Sequence, residues 1–464
     1  MAIWKNRITH SVGAFTLLLL STSSLAATPF RLDTALDMPD GLSISGSERA
    51  RYAKLNNQFR PQLGEDAEAL SFRTLIHAIW TSGNIETGIE LQDARAYLTD
   101  ENSGLSTIVV NAAEVLQAYV AMSYRDAFSE GDALQITIGR QTFDLGSRRL
   151  IARNRYRDTI QAFNGIRSHW SDGADTNITT FFVLPVLARP SDTASLVNND
   201  IQNDREDMNY LSWGIFWEQR NLFRAVNSEL YVIGLDENDD SDVQTSDRQL
   251  YTAGHRLIRK SAPGTWDTDI ENVFQTGTRR LTSDPADTTT VDVFAHFHHA
   301  ELGYTFEDTW RSRLSGELDY ATGNNSADHE RYSRFDSLFG PRRTEFGPTG
   351  IYGILGRENI ISTGLRYSAA PAQNVDFFIS WRANYLEDTT DTFARSGVKD
   401  TTGGSGRFAG HQIEVRARYW LIPESVQLEL GGAYFNQGRF LNTAPNASGN
   451  GDPLFLYTDL SFQF

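Results

Sequence analysis

Apolar and polar residues alternate along almost the whole of this chain, in stretches of about 8 to 12 residues that each end in a turn. A repeat of two is that of a β-strand with one apolar face. The last stretch shows it plainly. Leu454, Leu456, Leu460, Phe462 and Phe464 fall on one side, and Tyr457, Asp459, Ser461 and Gln463 on the other. At roughly 150 residues per domain the length would suggest two or three soluble units. No Pro- or Ser-rich linker, low-complexity tract or change of composition divides the sequence, so one repeating architecture is expected to its end.

The first 26 residues read differently. Lys5 and Arg7 precede an apolar run from Val12 to Leu20, and Ser24-Leu25-Ala26 carries small residues at the two positions that a signal peptidase reads. The run is too short for a spanning helix. Residues 1–26 are therefore expected to be a signal peptide, with a mature chain of residues 27–464 acting outside the cytoplasm. There is no cysteine, although disulfides would be permitted there.

Eighteen alternating stretches lie between residues 41 and 464, among them 158–169 and 308–322. Their connections alternate between short and long. Ser82-Gly83-Asn84, Ala370-Pro371-Ala372 and Pro423-Glu424-Ser425 are short; 56–69, 98–111, 189–207, 323–356 and 388–408 are long. This is the pattern of an all-β, transmembrane antiparallel barrel with short periplasmic turns and long outer loops. About eighteen strands are expected, with sixteen as the alternative, and at that size the interior is wide enough for an aqueous lumen. Every backbone hydrogen bond is made between strands, so the lipid face needs an apolar residue only at alternate positions.

Parity then assigns faces. Ile413, Val415, Ala417 and Tyr419 read as lipid-facing, which turns Gln412, Glu414, Arg416 and Arg418 inward. The same argument turns Arg382, Arg366, Arg125, Arg73 and Arg167 inward, together with Asp269, Glu271, Glu317, Asp319, Glu86 and Glu90. Arg140 shares a face with Ile136 and Ile138, and points inward only if Gly139 marks a bulge. A lattice of salt bridges that merely stiffens the wall is the plain alternative for any one of these residues. Clustering favours more: Gly139 to Arg167 holds seven arginines in a chain of formal net charge -17. Arg148, Arg149, Arg153, Arg155 and Arg157 of this stretch are expected at the mouth of the lumen, to attract and gate. The narrowest ring is expected from Arg167, Arg416 and Arg418. Other outer loops are acidic, notably 203–207 and 236–240. A basic ring inside an acidic surface focuses anions on a pore.

Other classes fit less well. Ala295-His296-Phe297-His298-His299 with Glu301 is the densest candidate for catalysis or metal binding, but no Ser/His/acid constellation accompanies it. Polar histidines facing the lumen are the default, so no enzyme, metal or cofactor is expected. A receptor gated by energy coupling would call for a plug domain before the barrel, and only about 14 residues separate Ala27 from the first strand.

Several segments together resemble the alginate export family of outer-membrane porins. They are Val115-Leu116-Gln117-Ala118-Tyr119-Val120, Gly139-Arg140-Gln141, Phe163-Asn164-Gly165-Ile166-Arg167, Asp269-Ile270-Glu271, Gln275-Thr276-Gly277, Glu301-Leu302-Gly303-Tyr304-Thr305-Phe306, Phe335-Asp336-Ser337-Leu338-Phe339 and Gly410-His411-Gln412-Ile413-Glu414-Val415. Asn164 stands where the family usually has an acidic residue, and Ala321-Thr322-Gly323-Asn324 departs from its Ser-Gly-Asp. The resemblance implies an eighteen-stranded barrel passing an anionic polysaccharide such as alginate through an arginine-lined constriction. Arg140, Arg167, Arg416 and Arg418 would line it, with loops as lids. It further implies the bacterial outer membrane as location. Lipid and lipopolysaccharide, an anionic saccharide and the barrel-assembly machinery, reached through a strand ending in Phe464, are the implied partners. Periplasmic export proteins join them if the direction is outward; nucleic acid does not. Uptake of small organic anions or acidic oligosaccharides is the alternative.

Overall fold

The computed structural model describes residues 29–239, 243–325 and 330–464. The expected signal peptide and Asp240 of the acidic loop lie outside these. In chain order the strands are β1 (Leu42–Asn56), β2 (Ala67–Ser82), β3 (Ile85–Tyr97), β4 (Asn111–Arg125), β5 (Ala133–Gln141), β6 (Phe163–Ser171), β7 (Thr176–Pro185), β8 (Tyr210–Phe223), β9 (Val226–Glu237), β10 (Gln249–Arg259), β11 (Thr265–Arg280), β12 (Thr290–Thr305), β13 (Arg313–Ala321), β14 (Arg331–Tyr332), β15 (Ile360–Ala372), β16 (Val375–Tyr385), β17 (Phe408–Ile422), β18 (Val426–Gln437) and β19 (Leu454–Gln463). All but β14 form the wall, each antiparallel to its neighbours. The two-residue β14 lies in a loop and pairs in parallel with Asp292 and Val293 of β12.

The sheet closes on itself. β1 pairs with β2 on one side and with β19 on the other, with Tyr52 opposite Thr458 and Ala53 opposite Tyr457. Eighteen wall strands thus make a closed barrel with no free edge. At the closing seam the Gly46 amide donates to the Phe464 carbonyl at 2.8 Å, and the Phe464 amide returns a bond to Gly46 at 3.1 Å. The Phe30 ring stacks on Phe462 below it, centroids 6.0 Å apart.

Alternation along the strands produces the two faces. In β17 Ile413 and Val415 are exposed outward, while Gln412 and Glu414 are buried inside at 2% and 1% exposure. The outward side chains meet hydrocarbon and the inward ones are matched by polar partners, which makes one register far better than a slip by one residue. Two expected strands start late. Residues 158–162 stay with the loop because Asp158 accepts from Arg49 at 2.5 Å and the Ile160 amide donates to Gln92 at 3.1 Å. The stretch 308–312 belongs to a turn, where Asp308 accepts from the Ser312 amide at 2.9 Å.

The interior is not the open lumen that barrel size alone suggests. Loop 142–162, between β5 and β6, and a second loop, residues 333–359 between β14 and β15, fold inward and meet. Phe143, Leu150 and Ile151 of the first belong to one apolar cluster with Phe335, Phe346, Tyr352 and Leu355 of the second. The Phe339 amide donates to the Leu150 carbonyl at 2.9 Å, and Ile151 bridges Phe339 in parallel. Together the loops form an internal plug.

A Cβ on Gly46 would stand 2.5 Å from the Leu75 carbonyl oxygen and 2.6 Å from the Phe464 ring. Gly46→Val should therefore force the seam apart at a cost of about 1–3 kcal/mol. Its folded gel band should convert to the unfolded one at a lower temperature than that of the unaltered protein.

Candidate conduction path

The plug is pinned by one buried guanidinium. Arg149, 3% exposed, reaches Asp269 at 3.1 Å and Glu271 at 2.6 Å on β11, and Glu345 at 2.8 Å in the helical turn Arg343–Phe346 of the other loop. Arg357 pairs with the same Glu345 and donates to the Arg149 and Pro341 carbonyls at 3.3 and 2.8 Å. On the wall Arg256 holds Asp269 at 2.7 Å, and Tyr231 donates to Glu271 at 2.6 Å. Burial drives the Arg149 cation towards neutrality, but Glu345, Glu271 and Asp269 outweigh it and hold the group well above its usual range. Gly340 packs so tightly here that a Cβ would lie 1.7 Å from the Arg149 carbonyl oxygen.

Below the plug, on the side of Phe464, lies a cavity of about 640 Å³. Nine arginines line it, Arg31, Arg49, Arg51, Arg73, Arg153, Arg155, Arg343, Arg416 and Arg418, against the carboxylates of Glu429 and Asp459. Some of these charges are matched. Arg51 lies along Asp459 at 2.6 Å, Arg153 grips both oxygens of Glu90 at 2.6 and 2.9 Å, and Arg343 pairs with Glu414. Others are not. Arg416 and Arg418 share the single carboxylate of Asp376, at 2.9 and 3.0 Å. Arg73 donates to the Arg155 and Arg157 carbonyls at 3.0 and 3.1 Å. Among the described residues, no carboxylate lies within ion-pair distance of Arg73 or Arg155.

Above the plug a second cavity of about 420 Å³ is lined by Arg60, Arg157, Arg342 and Arg395 with Ser106, Gln161 and Ser337, and no carboxylate lines it. Arg395 pairs with Glu358 behind the wall of the cavity. Arg60 and Arg342 bond only to backbone or amide oxygens, as Arg60 does with the Ile351 and Tyr352 carbonyls at 2.7 and 2.5 Å, and the buried Arg157 Nε has no partner among the described residues. Burial pushes the Arg60 guanidinium down to about 10, and burial together with the neighbouring Arg395 brings Arg157 to about 10. Burial, Arg395 and Arg157 together hold Arg342 well below its usual range. These are cations held in place without counterions.

The two cavities are joined by neighbouring residues. Arg155 faces the lower cavity and Arg157 the upper; Arg343 faces the lower and Arg342 the upper. Tyr156 sits between, with Arg51 at 4.1 Å and Arg343 at 4.7 Å over its ring. Each inward loop thus offers a cation to both sides of the narrowest region.

The remaining residues singled out from sequence fall in three groups. Arg167 points inward over the Phe143 ring at 5.5 Å, and Arg125 is exposed at the periplasmic end of β4. Arg382, Arg366 and Arg140 are matched: Arg382 lies buried between Glu317 and Asp319, Arg366 bonds Glu317 at 2.9 Å, and Arg140 reaches Glu114 at 2.5 Å and Glu206 at 2.9 Å. The loop arginines are not gathered at the mouth. Arg149 and Arg153 are drawn down into the barrel by wall carboxylates, and Arg148 stays with Asp144 at 3.4 Å. The histidines also divide otherwise than expected. His299 faces inward on Asp319 at 2.7 Å, but His296 and His298 share the outward face with Phe294 and Leu302. Arg49, Arg51, Arg60, Arg342 and Arg343 were passed over. The Arg49-Ala50-Arg51-Tyr52 alternation could have shown the first two.

The alginate export family model matches residues 40–453 of the chain. No curated protein sequence matches it. Among solved structures it is similar to Pseudomonas aeruginosa OpdK with vanillate, at 12% identity and TM-score 0.56, covering 91% of this chain and 98% of that one. It is also similar to Pseudomonas aeruginosa OccK8 (OprE), at 11% identity and TM-score 0.55, with coverage of 91% and 98%. OccK5 (OpdH) of the same organism matches at 11% identity and TM-score 0.54, again with 91% and 98% coverage. At such identities the fold is what is shared.

Removing the cation at the hub leaves several buried carboxylates without it. Arg149→Met should cost about 3–5 kcal/mol, the range for breaking a buried ion pair from one side. Denaturant unfolding should show that loss, and single-channel records should show a larger and noisier conductance. A variant as stable and as quiet as the parent would remove Arg149 from this role.

Proposed function

Because the chain belongs to the alginate export family of bacterial outer-membrane channels, we propose that it passes an acidic polysaccharide of the alginate or polymannuronate type, passively and with preference for anions. The observation that carries this reading is the upper cavity, where Arg60, Arg157 and Arg342 are buried without a carboxylate. A guanidinium presents a planar fork that fits a carboxylate with two parallel bonds, so uronate groups suit such a site better than halides do. A carboxylate entering there relieves repulsion among cations that carbonyl dipoles only partly offset. The paired exposure of Arg155 with Arg157 and of Arg343 with Arg342 then offers the next partner across the plug. Cation after cation along the path keeps every position favourable without making any one a trap. Acidic loops such as 203–207 add to this by repelling a polyanion everywhere but at the basic opening.

Uptake of small organic anions is a second reading, and the plug favours it. Cavities of about 640 and 420 Å³ are of the size of small-molecule sites, and one structurally similar porin carries vanillate. Passage of a polymer requires the two loops to part.

In planar bilayers under a salt gradient the reversal potential should report anion preference; cation preference would end both readings. Replacing Arg416 and Arg418 together by alanine should reduce that preference several-fold, from about 1 kcal/mol for each charge lost at contact distance in water. Polymannuronate should block the current where neutral dextrin does not. If only small carboxylates compete, the uptake reading takes its place.

A further inference from the structure

The outward face of the wall carries a polar row where hydrocarbon is expected. His255 of β10 stands directly opposite Asn272 of β11, Asn272 opposite His298 of β12, and His298 opposite Tyr320 of β13. All lie on outward parity. Asn272 falls between Ile270 and Phe274, and His298 shares its face with Phe294 and Leu302, all four exposed. Trp266 and Tyr304, in contact at 5.2 Å, mark the periplasmic border of this face, and Phe294 lies towards the outer one. The row therefore runs through the middle depth of the membrane. His296 extends it, 3.0 Å from His298 and stacked on Tyr320 with ring centroids 5.5 Å apart.

Lipid tails offer nothing to bond with, and unmatched polar groups at that depth are costly. Within the chain the row is only partly satisfied. His298 Nδ1 meets Asn272 Oδ1 at 2.8 Å and His255 Nε2 meets Ser228 Oγ at 3.3 Å, while among the described residues the Asn272 amide nitrogen and His255 Nδ1 have no hydrogen-bond partner. Beside the row runs a groove of about 650 Å³, floored by Ala253 and Gly254 and walled by Trp217, Leu230 and Phe274.

We propose that this face, on β8 to β13, is where two copies of the chain meet within the membrane. From His255 to His298 the row carries no formal charge with its histidines neutral and offers donors and acceptors together, while at its far end Tyr320 donates to the Glu387 carboxylate at 2.8 Å. It is therefore complementary to itself. A second barrel turned about a two-fold axis along the membrane normal brings the same row to the same depth, so that residue meets residue in an isologous contact. The small side chain at Ala253 lets the walls approach, as small residues do between membrane helices, and the Trp217 and Phe274 ridges of one copy fill the groove of the other. An acyl chain fills the groove but leaves the row unpaired.

The chain contains no cysteine, so single ones report proximity cleanly. Ala253→Cys, Thr268→Cys and Ala300→Cys should be tested by oxidation in native outer membranes, with Ile76→Cys on the opposite wall as control. At least one of the three should give a disulfide-linked dimer that the control does not. Light scattering in mild detergent should give the mass of a dimer. Asn272→Leu with His298→Leu should weaken that dimer roughly tenfold, given about 1 kcal/mol or less for each lost membrane hydrogen bond. The change makes the lipid face more apolar and leaves the conduction path untouched, so conductance serves as the check on folding. A monomeric mass with no cross-link above the control overturns the proposal, as does cross-linking to a different protein.

Discussion

Everything inside this barrel depends on the Arg149 guanidinium being matched from two directions at once. Asp269 and Glu271 come from the wall and Glu345 from the opposing loop. Removing one side of a buried ion pair leaves the other charge uncompensated and costs more than the pair contributes. The arrangement therefore has no stable half-way state. With the second loop withdrawn, Arg149 loses Glu345 and the Arg149 carbonyl loses the Arg357 guanidinium together. The apolar contacts of Ile151 and Phe339 part in the same movement. The plug is in or out as a unit, which is the behaviour expected of a bistable packed element.

Charge in this protein is sorted by task. Its surplus is acidic, yet the interior is dense with arginine. Several on β11 to β16 and at the outer rim of β5 are matched by carboxylates, as Arg313 is by Asp267 and Glu301, and Arg382 by Glu317 and Asp319. Arg73 on β2, Arg416 and Arg418 on β17, and Arg155, Arg157 and Arg342 of the two inward loops are left short of partners. The first set stiffens a wall that no disulfide braces, and the second gives the cavities their sign. One residue type serves both ends because its fixed fork binds a permanent carboxylate and a passing one by the same geometry.

The wall was legible because a period of two leaves a mark in every strand, and a slip of one residue would turn Arg416 and Glu414 into lipid. The plug was not. Its decisive contacts join Arg149 to Glu271 and Glu345, far along the chain, and nothing local in a loop records whether it will lie over the barrel or within it. Phe143, Leu150, Ile151, Phe335 and Phe346 were the available clue, since loops that stay in water have little use for such residues. Arg49 and Arg51 were legible by the same rule, since they alternate with Ala50 and Tyr52 in β1. His296 and His298 were misjudged by residue type against parity: Phe294 and Leu302, on their own face, already gave the direction.

The seam between β1 and β19 sets the order in which this molecule comes into being. Residues such as Tyr52 and Thr458 become neighbours only after nearly the entire chain has been made, so the pairing that abolishes the free edges is also the most distant in sequence. Contacts of such separation form slowly, since loop closure is opposed by entropy until they reward it. Until then both terminal strands expose unpaired backbone that hydrocarbon cannot satisfy. The polypeptide must therefore reach its membrane open and close there, and the plug, whose partners span the finished wall, can settle only afterwards. Each new copy begins as a wider hole than it ends.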